Sequence, residues 1–68
     1  MIKIIELKEL ANMLKNPDEN SKYSPRGKFI CRNDFTLQYI ACDNASGDAL
    51  IEFLPTEDKA IEWLGITV

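Results

Sequence analysis

The chain has 68 residues and a formal charge of −3, with 46% apolar and 28% charged side chains. A domain of this length buries only about 60% of the surface its unfolded chain exposes, so one small core spanning residues 1–68 is expected and large multidomain enzyme architectures are excluded. The composition is globular rather than disordered, and the acidic balance argues against a dedicated nucleic-acid binder, whose affinity rests on neutralising phosphates.

From Ile4 to Lys15, the apolar residues Ile4, Leu7, Leu10, Ala11 and Leu14 recur at steps of three and four, which predicts an amphipathic helix over 4–15. Asn16 before Pro17 ends it, because the proline ring disfavours helical backbone in the preceding residue. Residues 16–27 then hold Pro17, Pro25 and several Ser and Asn turn formers, a connector long for idle structure. Two strands are predicted at 28–33 and 36–42, joined by a tight turn at Asn33-Asp34. Asp43-Asn44-Ala45-Ser46-Gly47-Asp48 supplies turn chemistry before a third strand at 49–54.

Pro55 closes that strand, Thr56 suits a helix N-cap, and Glu57-Asp58 complement the positive end of a helix over 57–64. Gly65 falls where a left-handed C-terminal cap is wanted. The expected fold class is therefore α+β, a three-stranded antiparallel β-meander with an N-terminal and a C-terminal α-helix in the order α-β-β-β-α. Strand alternation places Phe29, Cys31, Leu37, Tyr39, Ala41, Ala49, Ile51 and Phe53 on one face. Ile30, Ile40, Leu50 and Leu54 fall on the other, among Arg32, Gln38 and Glu52. Either one helix covers each face, or the second face is left for a partner.

No run approaches the roughly 20 apolar residues of a membrane span. Met1-Ile2-Lys3-Ile4-Ile5-Glu6 is charged too early for a signal peptide, so a cytoplasmic chain without a membrane partner is expected. Catalysis is not expected. Histidine is absent, which removes imidazole-based triads and metal sites. Cys31 and Cys42 read as reduced, buried thiols, since a cysteine nucleophile needs a base or cation and Arg32 points to the opposite strand face from Cys31. Asp43 with Asp48 is the carboxylate pairing a fold could create. The run Asp43-Asn44-x-x-Gly47-Asp48 lacks the ligand spacing of a calcium loop and reads as a self-bonded turn with Gly47 at positive φ. No cofactor and no metal are implied.

Two binding chemistries remain. Surplus apolar surface suggests a protein-interaction or regulatory module, meeting an unknown protein or a second copy through Ile30, Ile40, Leu50, Leu54 and Trp63. The alternative is a weak nucleic-acid contact through Lys22, Arg26, Lys28 and Arg32, which give residues 21–32 a charge of +4 while residues 33–68 sum to −6. The stretch Tyr39-Ile40-Ala41-Cys42-Asp43-Asn44 through Gly47-Asp48-Ala49, with Glu52-Phe53 and Ala60-Ile61-Glu62-Trp63-Leu64, resembles small uncharacterised proteins of bacterial and phage type. That resemblance spans residues 39–64, consists of turn and packing positions, and implies no activity.

Overall fold

The computed structural model describes residues 2–66. It is an α+β fold with the element order β1 (Ile2–Ile5), α1 (Leu7–Lys15), β2 (Gly27–Asn33), β3 (Gln38–Asn44), β4 (Leu50–Leu54) and α2 (Glu57–Ile66). The sheet has four strands in the order β1-β2-β3-β4. β2, β3 and β4 form the expected antiparallel meander, whereas β1 joins parallel to β2.

The extra strand corrects the helix expected over 4–15. Ile4 and Ile5 satisfy helical spacing, yet β-branched side chains lose rotamer freedom in a helix and suit a pleated surface. The outer edge of β2 offers them a ladder, with Ile4 opposite Ile30 and Ile5 opposite Cys31. Glu6 ends the strand with extended backbone and caps α1, its N–H reaching Glu9 Oε1 at 3.4 Å. A parallel pair cannot be joined by a tight turn, so α1 and residues 16–26 serve as the crossover between β1 and β2.

The hairpin between β2 and β3 corrects the register. A turn at Asn33-Asp34 is not what forms: Asn33 pairs with Gln38, leaving residues 34–37 as a four-residue connection. Asn33 closes it from both groups, its Oδ1 accepting the Phe35 N–H at 3.0 Å and its carbonyl the Leu37 N–H at 2.8 Å. Leu37 turns the chain with φ at 60°. Residues directly opposite on paired strands share a face, and this pairing corrects by one residue the expected placement of Tyr39 and Ala41 beside Phe29 and Cys31. Ile40 and Cys42 therefore lie with Phe29 and Cys31, while Tyr39 and Ala41 lie with Ile30.

Each face of the sheet carries one helix. Leu10 and Met13 of α1 pack with Phe29, Cys31, Ile40 and Cys42. Ala60 and Leu64 of α2 pack with Ile30 and Ala41, flanked by Ile2, Tyr39, Leu54 and Trp63. Burying an aliphatic side chain such as Ile30 or Leu64 stabilises a fold by roughly 1.5 to 3 kcal/mol. Thr56 caps α2 as expected, its Oγ1 accepting the Lys59 N–H at 3.2 Å. Gly65 is a further correction, because it lies inside α2 rather than at a left-handed cap. The end of that helix is held from the sheet instead, by Lys28 Nζ donating to the Leu64 carbonyl at 2.7 Å.

Candidate interaction surfaces

The residues 16–26 are docked, not idle. Asp18 Oδ1 accepts the N–H groups of Asn20 at 2.8 Å and Lys22 at 3.0 Å, which folds the segment back on itself. Tyr23 N–H then donates to the Gly47 carbonyl at 2.9 Å. The fully buried Asn44 is the clasp between the two loops: its Nδ2 donates to the carbonyls of Tyr23 at 3.1 Å and Pro25 at 2.7 Å, and its Oδ1 accepts the Ala49 N–H at 3.1 Å. Gly47 adopts the expected positive φ, at +90°, and the Arg26 guanidinium lies so close that a Cβ there would stand 2.7 Å from Arg26 Cζ. The Asp43–Asp48 segment is thus a turn whose oxygens are spent on the protein's own amides and on Lys22.

The four cations of the 22–32 stretch are dispersed among structural tasks. Lys22 Nζ meets Asp48 Oδ1 at 2.6 Å, and that partner, with Ser46 beside it, holds the Asp48 carboxyl below its ordinary pKa. Lys28 holds the end of α2, Arg26 lies against Gly47, and Arg32 Nε stands 3.4 Å from Asp34 Oδ1.

The apolar set expected to form a second-face interface is also divided. Ile30 is buried beneath α2 and Ile40 beneath α1, on opposite sides of the sheet. Leu54 and Trp63 are half-buried at the margin of the α2 core, and Leu50 alone of the five is exposed. With both helices in place, these residues do not share one accessible surface.

Both cysteines are buried and free, as read from sequence. Burial, reinforced by Asp43, pushes the Cys42 thiol up to about 11, and burial with Asp34 and Glu9 raises Cys31. Neither sulfur is a thiolate at neutral pH, the form that attacks electrophiles or binds metal. Among the described residues no group of three or more His, Cys, Asp or Glu side chains is arranged to hold a metal ion, and no helix is long and apolar enough to cross a membrane.

What sequence reasoning missed is a groove of about 420 Å³ where β1 passes into α1 beside the β2–β3 hairpin. Ile4, Ile5 and Leu7 of the β1–α1 segment and Phe35 of the hairpin supply its apolar lining. Phe35 is 93% exposed and Ile4 68% exposed, the two most exposed large apolar side chains of the described residues. Glu6, Lys8, Arg32 and Asp34 supply its charged lining. The signal for Phe35 was an aromatic among turn formers in Asn33-Asp34-Phe35-Thr36, a place from which no core can be reached. In comparisons with known proteins, no family model, no curated protein and no solved structure matches the chain.

Proposed function

We propose that the chain is a small, non-catalytic protein-interaction module of the cytoplasm, and that its contact surface is the Ile4–Phe35 groove rather than the sheet face. The observation that carries this reading is Phe35, an aromatic side chain 93% exposed on a hydrogen-bonded turn and lining the same groove as Ile4, itself 68% exposed. Aromatic anchors surrounded by charged groups are the usual core of a protein contact. The buried, protonated thiols and the self-bonded Asp43 and Asp48 favour binding over catalysis. The pairing of Lys22 with Asp48 and the hold of Lys28 on the end of α2 disperse the basic stretch and make a nucleic-acid contact the less supported reading.

The test compares the tagged chain with its Phe35→Asp variant in pull-downs from a nuclease-treated lysate of the source cell. A protein, this chain or another, recovered in stoichiometric amount by the first and lost by the second supports the module. Recovery that vanishes with nuclease overturns it in favour of nucleic acid, and recovery unaffected by Phe35→Asp overturns the choice of groove.

A further inference from the structure

We propose that the occupant of the Ile4–Phe35 groove is a second copy of this chain, docked about a twofold axis; this rests on reading the chain as an interaction module. The argument is one of charge. The groove is lined by two anions, Glu6 and Asp34, and two cations, Lys8 and Arg32, so it is neutral on a chain whose total is −3. A partner chosen by electrostatics meets a patch of one sign. A twofold contact sets a patch against itself, and a charged patch is then self-complementary only when it carries both signs.

Phe35 supplies the apolar half of the same complementarity, since each copy offers one protruding ring and one groove floored by Ile4, Ile5 and Leu7. The hairpin is already fixed by the two hydrogen bonds to Asn33, so little ordering is left to be done on docking. The Arg32–Asp34 pair is exposed on both sides, at 58% and 83%, and such pairs exchange readily for an intermolecular partner.

Edge-to-edge pairing is the competing way to join two copies, and both edges are blunted. β1 has four residues with Lys3 among them, and β4 has five with Glu52 at its centre and Pro55 directly after. A symmetric β4 pairing about its middle would place Glu52 opposite its own copy. The groove is smaller than a standard interface of about 800 Å² per partner, so weak, concentration-dependent association is expected.

Sedimentation velocity from about 5 to 500 µM covers the concentrations at which weak association is read. The wild-type chain should shift from monomer to dimer, and Phe35→Asp should remain monomeric with an unchanged circular dichroism spectrum. A second pair of variants guards against a misfolded result. Lys8→Glu with Arg32→Glu makes the lining wholly acidic, and Asp34→Lys makes it net basic while sparing Glu6 at the start of α1. Each should be monomeric alone, and their equimolar mixture should dimerise. A wild-type chain that stays monomeric at the highest concentration overturns the second copy, as does a dimer indifferent to Phe35→Asp. If that monomer still captures another protein through Phe35, the module reading survives; if it captures none, both fall.

Discussion

Asn44 shows how one side chain can hold two loops that are far apart in sequence. Its amide satisfies the Tyr23 and Pro25 carbonyls and the Ala49 N–H, and its Nδ2 also lies 4.0 Å from Met13 Sδ of α1. Asn44→Ala would leave three backbone groups without their partner inside the protein, and the expected loss is about 2 to 4 kcal/mol in urea unfolding. Amides of residues 21–26 should exchange faster in any fraction that stays folded. Sequence did mark Asp43 and Asn44 as turn formers, and Asp43 makes the local bond that marking implies, its Oδ1 accepting the Ala45 N–H two residues on. The reach of Asn44 back to Tyr23 and Pro25 was invisible, because no local pattern encodes a bond across 19 to 21 residues. Leu37 carries the opposite sign. It sits at φ 60°, where a Cβ crowds the carbonyl, and is 64% exposed, so little packing compensates. Leu37→Gly should stabilise the fold by roughly 0.5 to 1 kcal/mol, read as a rise in melting temperature.

At the scale of elements, periodicity served well where an element had one partner and failed where two alternatives shared a pattern. α2 was legible from Pro55-Thr56-Glu57-Asp58 because its start is written in local chemistry, and Thr56 Oγ1 does cap it. β1 was not legible, since Ile4 and Leu7 fit a helix equally well until the free edge of β2 decides. The face of β3 follows from the pairing across the hairpin, where Ile40 stands opposite Cys31 and so lies under α1, a placement that alternation along β3 alone does not fix. The groove was lost for the same reason: it exists only because β1 is a strand lying beside the hairpin. The last turn of α2 contains no basic residue, and Lys28 of β2 supplies the cation that a helix C-terminus favours. Lys28→Met keeps the aliphatic stem and removes the charge. It should lower stability by about 1 to 2 kcal/mol and speed exchange of the amides of α2 before those of β2 and β3.

For the whole molecule, stability should form a plateau in pH with an edge on each side. On the acid side, Asp18 is held below its ordinary pKa by the N–H groups of Lys22 and Asn20, and Asp48 by Lys22 and Ser46. A carboxyl lowered by folding stabilises the protein above the unfolded value of about 3.9 and loses that contribution as pH falls through the folded value. Both carboxyls are exposed, so this edge is shallow. The alkaline edge is steeper because it comes from the core. Thiols of the unfolded chain ionise near pH 8.5, whereas burial keeps Cys42 protonated to about 11. A thiol raised by folding contributes fully below about pH 8.5, and that contribution is lost as pH climbs through the folded value, at a slope of at most about 1.4 kcal/mol per pH unit. Urea midpoints of the wild-type chain should therefore drop between pH 8.5 and 10 with no matching change between pH 6 and 8. Cys42→Ala should be less stable at pH 7, through the cavity it leaves beside Phe29 and Ile51, yet flatter across the alkaline range. Equal alkaline slopes for the two proteins would place the titrating group elsewhere than in the sheet core.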